Sequence, residues 1–331
     1  MQIPHPKTIH QNAARALARG RDPQKLILFY ASIPVVLSLV VTLVNYWLGL
    51  QIDGTGGLRQ LGTRAMFSTI QQVLPVIQSA VLMCLDLGYI HGMMRISRGQ
   101  YADHTDLKRG FHLFGPIVRL TLLQGLIYLA VGIITFYFSM QIYLLTPWAE
   151  ELYTVLEPII SSTTILDSGY VLDDATLALA TDAMLPMMIF YFVLYGVLAL
   201  IISYRFRMAN YALLDNPHFG AFGAMRQSVK LMRRNSLNLL KLDLSYWWYY
   251  GLMLLASLVL YMDMLLPLVG IQLPMNSTLA YFLFYGLYLV MHFAMQYFLR
   301  NRVEAGFVLA YDAICPKPKE DGVVLGNIFD M

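Results

Sequence analysis

The stretch LILFYASIPVVLSLVVTLVNYWLGL, Leu26 to Leu50, decides the fold. It runs 25 residues without a charge, whereas a helix needs only about 20 apolar residues to cross a bilayer core of about 30 Å. Five further runs of comparable length, bounded by charge, Pro or Gly, lie at about 67–94, 117–145, 184–204, 239–262 and 277–299. The run at 67–94 is interrupted by Gln71, Gln72, Gln78 and Asp86. No alternating strand pattern competes. The expected fold class is therefore all-α: a polytopic membrane helix bundle with six transmembrane helices and cytoplasmic amphipathic elbow helices.

Composition agrees with that reading. Of 331 residues, 58% are hydrophobic and 13% charged, against about 45–50% and about 25% in soluble domains, which excludes an ordinary soluble protein. Two cysteines and a net charge of +3 exclude a disulfide scaffold, a disordered chain and a nucleic-acid binder. Cys84 falls inside the second run and Cys315 in the tail, so both are expected to be free thiols on a reducing side. Leu48-Gly49-Leu50 offers no small-x-small cleavage site, and the first run is expected to be retained rather than removed as a signal peptide.

Orientation follows from the basic residues, because short loops rich in Lys and Arg stay cytoplasmic. Of the 23 Lys and Arg, all but Arg59 and Arg64 fall on one side of a six-span arrangement. The segment 146–183 on the other side carries no Lys or Arg, only Glu150, Glu151, Glu157, Asp167, Asp173, Asp174 and Asp182. The expected topology has a cytoplasmic N-terminal segment (1–25), six spans (26–299) with an acidic extracytoplasmic loop (146–183), and a cytoplasmic tail (300–331). The seven acids could collect cations, or they are what an outer loop holds once Lys and Arg are kept out. That loop is expected to hold one or two short helices, the second continuing into the fourth span.

Residues 215–238 are too polar to span, yet Phe219, Phe222, Met225, Val229 and Met232 recur at steps of three and four. Arg226, Lys230, Arg233 and Arg234 lie away from that stripe. This predicts an amphipathic elbow helix opening at Asn216-Pro217, capped by Asp215 or Asn216. Such a helix lies flat at the inner leaflet with its basic face on anionic headgroups, either as a topology anchor or as a dedicated lipid- or partner-binding surface. The loop from Arg95 to Phe111 has a similar plan, which internal duplication or the positive-inside rule alone would each produce.

One stretch carries a resemblance. Tyr204-Arg205-Phe206-Arg207-Met208-Ala209-Asn210-Tyr211, then Asp215-Asn216-Pro217, Ala221 through Ser228 to Lys230-Leu231-Met232, and Leu240-Lys241-Leu242-Asp243-Leu244-Ser245 resemble the bacterial integral-membrane family called domain of unknown function 975. Asp106-Leu107-Lys108-Arg109-Gly110-Phe111 is similar to that family's segment before its third span. Arg233-Arg234-Asn235 stands where the family often has Gly-His-Lys. The resemblance implies a six-span protein of the bacterial cytoplasmic membrane and carries no established activity.

Motifs for chemistry are sparse. There is no His-Glu-x-x-His, Gly-x-Ser-Gly or phosphate-binding Gly-x-x-x-x-Gly-Lys, and the histidines lack metal-ligand spacing, so no metal, cofactor or catalytic residue is expected. Charged residues inside apolar runs are the better lead, since each costs about 2.5–3.5 kcal/mol at the bilayer centre on insertion scales. Asp86 shares a helical face with Gln71 and Gln78, and at about 1.5 Å per residue it lies roughly 13 Å in from Arg95. With Arg119, Arg205 and Asp243 it forms a candidate intramembrane polar cluster in the cytoplasmic half, either fixing helix register or serving a substrate or proton. Gly88 and Gly92 form a small-residue step beside it, and His292 and Gln296 lie one turn apart in the sixth run. The expected function is a non-enzymatic membrane protein whose cytoplasmic elbows meet anionic lipid or a partner. A small-solute transporter or channel with a cytoplasm-facing polar cavity is the alternative, and a lipid-modifying enzyme a weaker third.

Overall fold

A computed structural model describes residues 2–19, 23–54, 61–150, 152–154, 174–268, 270–271 and 276–315. Much of the acidic loop, including Glu151, Glu157, Asp167 and Asp173, lies outside them, as do Arg59 and the tail beyond Cys315. Among the described residues the structure is helical throughout, with no strand. In chain order the helices are α1 (Pro6–Arg19), α2 (Pro23–Gly54), α3 (Leu61–Ser97), α4 (Lys108–His112), α5 (Phe114–Tyr143), α6 (Asp174–Phe206), α7 (Ala209–Asp215), α8 (Gly220–Met232), α9 (Ser236–Ser245), α10 (Trp247–Leu260), α11 (Met262–Leu268), α12 (Ser277–Met295) and α13 (Asn301–Ile314). Short 3-10 turns precede α4 and α8, and a π-helical turn, Gln296–Arg300, joins α12 to α13. Five helical segments are long and apolar enough to cross a membrane: Pro23–Ile52, Arg64–Ser97, Phe114–Tyr143, Thr181–Asp215 and Thr278–Ile314.

The run expected at 239–262 is segmented instead of continuous. Backbone angles leave the helical region at Tyr246 (φ −101°, ψ 19°) and again at Tyr261. The reason for the first break is visible in its side chain. Tyr246 is fully buried, donates its hydroxyl to the Arg302 carbonyl at 3.3 Å, and stands so close to Gly306 that a Cβ there would overlap its phenolic oxygen. His10 meets the same ring edge-on at 4.4 Å. A straight helix would not deliver the ring to both partners.

The chain forms two compact units. The first comprises Met1–Val118 and Met208–Met331. Its centre is α13, which buries residues on every side, from Val303 through Ala305, Phe307 and Val308 to Tyr311. Helix α1 lays Ile9 and Ala13, one turn apart and both buried, against α13. Helices α2 and α3 run together along most of their length. Helix α3 ends where Gly99 takes φ +77° and Gln100 N–H returns to the Arg95 carbonyl at 2.8 Å, a left-handed stop that glycine adopts without steric cost. The chain then folds back so tightly that a Cβ on Gly110 would overlap the Cys84 carbonyl oxygen, and one on Gly88 the backbone of Leu107.

The second unit is Arg119–Arg207, holding most of α5 and α6. Tyr143 ties its far end, donating to the carbonyls of Ala183 at 2.8 Å and Trp148 at 3.0 Å. The start of α6 at Asp174 fits the expectation that the acidic segment runs on into the fourth span. Leu122, Leu126, Leu129 and Ile133 of α5, and Phe192 and Val193 of α6, are all exposed.

Candidate functional site

A polar seam joins α2 to α3. Gln71 donates to the Asn45 carbonyl at 3.0 Å, Gln78 to Ser38 Oγ at 2.8 Å, and Tyr30 donates its hydroxyl to Asp86. The three α3 residues thus use their common face to grip one neighbour. The seam ends on a charge, for Arg300 Nη2 donates to Asp86 Oδ1 at 3.1 Å. The Arg300 side chain is 23% exposed and that of Asp86 47%. The guanidinium also lies over the Tyr30 ring at 5.1 Å and the Tyr89 ring at 5.9 Å, and those rings stack at 3.9 Å. Gln296 Oε1 accepts from Arg300 at 3.4 Å. One turn further, buried Glu304 accepts from Tyr211 at 2.5 Å.

Gln296 and Arg300 are the two ends of the π-helical turn, and such turns recur at functional sites in many proteins. The buried Tyr89 hydroxyl and His292 Nδ1 have no hydrogen-bond partner among the described residues, although His292 Nε2 approaches Gln296 at 3.4 Å. No group of three or more His, Cys, Asp or Glu among the described residues could hold a metal ion.

Of the four residues of the candidate cluster, Asp86 and Asp243 belong to the first unit and Arg119 and Arg205 to the second. Asp243 accepts from Tyr250 at 2.7 Å. The cation that meets Asp86 is Arg300, one residue past the expected end of the sixth span, so a search confined to charges inside apolar runs misses it. A usable signal was there: His292, Gln296, Arg300 and Glu304 recur every four residues.

A second set of contacts gathers around Arg98. Its guanidinium binds Asp215 at 2.7 and 3.2 Å and Asp312 at 2.7 and 3.3 Å. Burial works to lower the Arg98 pKa, and the two carboxylates outweigh it, leaving it raised. Nearby, Arg95 binds buried Asp106 at 2.8 Å, and Asp103 and Asp106 form a reciprocal capping box on the 3-10 turn. His104 hydrogen-bonds Asp103 and holds that carboxyl below its usual range. The N-terminal segment joins the same region: Ile3 N–H donates to Asn235 at 3.4 Å, and His10 pairs with Ser245 Oγ at 2.8 Å.

The third feature is the basic elbow. Helix α8 buries Ala224, Met225, Ser228 and Met232 against the protein, and Ser228 Oγ accepts from Met208 N–H at 3.2 Å. The expected apolar stripe is thereby split, since Phe222 is 73% exposed, Phe219 51% and Val229 37%. The capping expectation is corrected: Asp215 ends α7 with its carboxylate on Arg98, and Asn216 makes no side-chain cap. Arg226, Lys230, Arg233 and Arg234 are exposed, and among the described residues none forms an ion pair. A cavity of about 880 Å³ opens between α8 and the end of α13, lined in part by Arg226, Lys230, Arg234, Gln227, Phe219 and Cys315.

No protein-family model matches this chain, and no curated protein or solved structure matches it.

Proposed function

We propose that the chain is a multi-pass protein of the bacterial cytoplasmic membrane, non-enzymatic, whose basic cytoplasmic elbow rests on anionic lipid headgroups through Arg226, Lys230, Arg233 and Arg234. The observation that carries this is the surface of the elbow. Phe219, just before α8, and Phe222 and Val229 on it stand exposed, and the four cations, Arg226 and Lys230 on the helix and Arg233 and Arg234 just after it, have no carboxylate partner among the described residues. A helix packed on its own protein along one side, with apolar and basic residues on the others, fits the boundary between acyl chains and headgroups.

Six crossings with both termini inside agree with several observations. The five long apolar helices supply five crossings. Helix α10, at 14 residues, and α11, at 7, together rise about 30 Å, which is enough for the sixth. The four segments expected in the cytoplasm also meet one another in the first unit: Arg98 joins α3 to α7 and α13, and Ile3 and His10 reach Asn235 and Ser245. That agreement is independent of counting Lys and Arg. The bacterial origin rests on the resemblance to domain of unknown function 975.

Lipid retention tests the reading. Purified from membranes containing phosphatidylglycerol, the full chain should keep anionic lipid, and replacing Arg226, Lys230, Arg233 and Arg234 together by Gln should strip it, at about fivefold per charge removed. Equal retention by both proteins, measured by mass spectrometry of bound lipid, would overturn it.

A second reading has its own observation. Asp86, half exposed beside a π-helical turn and bonded to Arg300, suits a small-solute transporter or channel opening to the cytoplasm. An Asp86→Asn protein that folds and supports normal growth would remove it.

A further inference from the structure

We propose that the cavity between α8 and the end of α13 is a single-lipid receptor for the phosphodiester headgroup of an anionic phospholipid, with Arg226, Lys230 and Arg234 as the phosphate ligands. This rests on the membrane-surface reading above and narrows it from a charged face to one built site.

Arg226 and Lys230 lie four residues apart, about 40° apart around the helix, and Arg234 follows in the turn after α8. All three line the same cavity of about 880 Å³, within the range of small-molecule sites. Like charges at this spacing repel. Elsewhere in the first unit the protein answers such charges itself: Arg95 has Asp106, Arg98 has Asp215 and Asp312, and Arg300 has Asp86. The cavity cations have no such partner among the described residues, and an anion from outside would supply it.

The rest of the lining separates a lipid from a free ion. Asn235 is committed, accepting from Ile3 and donating to the Leu231 carbonyl. Gln227 Oε1, also in the lining, is buried with no partner among the described residues and requires a donor, which a glycerol hydroxyl provides. Phe219, Leu231 and Ile314 add apolar wall. Phe219, at the end of the 3-10 turn, is half exposed, and Phe222, three residues on in α8, is more exposed. An inorganic ion has no use for these rings, whereas the glycerol backbone and first methylenes of a phospholipid would cover them.

Cys315 makes the site measurable, because its thiol is partly accessible and lines the cavity, while Cys84 is buried in α3. The full chain is placed in nanodiscs of phosphatidylcholine with increasing phosphatidylglycerol, and maleimide labelling of the Cys315 peptide is timed by mass spectrometry. Phosphatidylglycerol should slow labelling at least about tenfold in a saturable way, and millimolar inorganic phosphate in phosphatidylcholine discs should not. Lys230→Gln with Arg234→Gln should raise the half-protecting fraction about 25-fold, two charges at about fivefold each. Lys241→Gln, on α9 and outside the lining, should leave it unchanged.

Equal protection by inorganic phosphate would make this a free-anion site and overturn the lipid assignment. A loss from Lys241→Gln as large, per charge removed, as that of the double variant would mean a diffuse field, overturning the single site while leaving the functional reading intact. Anionic lipid retained without Cys315 protection would have the same meaning. Neither retention nor protection would overturn both.

Discussion

Replacing Asp86 by Asn removes one charge and almost no volume, and so isolates the ion pair at the end of the α2–α3 seam. Arg300 loses its carboxylate while keeping Gln296 Oε1 at 3.4 Å and the Tyr30 and Tyr89 rings at 5.1 and 5.9 Å. Breaking a buried pair from one side costs about 3–5 kcal/mol. Asp86 is 47% exposed, and the two rings return part of the loss through cation–π attraction of about 0.5–2 kcal/mol. The expected destabilisation is therefore about 2 kcal/mol. Arg300→Gln alone leaves a half-exposed carboxylate still bonded to Tyr30 and should cost somewhat less, about 1.5 kcal/mol. The double variant contains no orphan charge and should cost no more than either single change, giving a coupling of at least about 2 kcal/mol. Equilibrium unfolding of the chain in mixed micelles, followed by fluorescence of its four Trp residues, measures all three proteins. Coupling below about 0.5 kcal/mol, the scatter expected of independent sites, would refute the claim that Asp86 and Arg300 hold each other in place.

Two further outcomes follow from the packing around α3 and α1. Gly110→Ala forces a methyl into the space of the Cys84 carbonyl oxygen, backbone that cannot swing aside, and should lower stability by about 1–3 kcal/mol in the same unfolding assay, while Gly115→Ala, which meets nothing within 4 Å, should not. Burial holds the His10 pKa below its ordinary 6.5, so the unfolded chain takes up a proton in a range where the folded one does not; the protection factors of the α1 amides, taken relative to intrinsic exchange at each pH, should therefore be constant above pH 6.5 and fall as pH drops below it, and His10→Gln should flatten that dependence.

Hydropathy made the long helices legible because it measures the one property they share. It could not reveal the break at Tyr246, since no Pro or Gly marks it and the partners of the Tyr246 side chain, Arg302 and Gly306, are distant in sequence. Periodicity on α8 put Phe219, Phe222, Met225, Val229 and Met232 on one face but could not say what that face meets. The answer is two things: Met225 and Met232 pack on protein, and Phe219, Phe222 and Val229 do not. The shared face of Gln71, Gln78 and Asp86 was readable from spacing, and all three turn to α2. Arg300 escapes a search of the apolar runs because it lies one residue beyond one, and only the recurrence of His292, Gln296, Arg300 and Glu304 every four residues marks its face. A charge at that boundary can face water or fold inward, and hydropathy does not distinguish the two.

The positive-inside rule explains less of α8 than it first promises. That rule counts Lys and Arg in short loops and gives little weight to neighbouring acids. A paired arginine therefore serves topology as well as an unpaired one. Arg98, bound to Asp215 and Asp312, retains its topological value while also fastening α3 to α7 and α13. Arg226, Lys230, Arg233 and Arg234 could have been matched with carboxylates in the same way at no loss of orientation. Topology accounts for their presence in the elbow and is silent on their lack of carboxylate partners among the described residues. Leaving like charges together around a cavity raises the energy of the empty protein, and an external anion is what lowers it again. That separates the two groups of arginines on the same side of the molecule: those at 95, 98 and 300 are spent on the fold, and those on and just after α8 are available to a ligand.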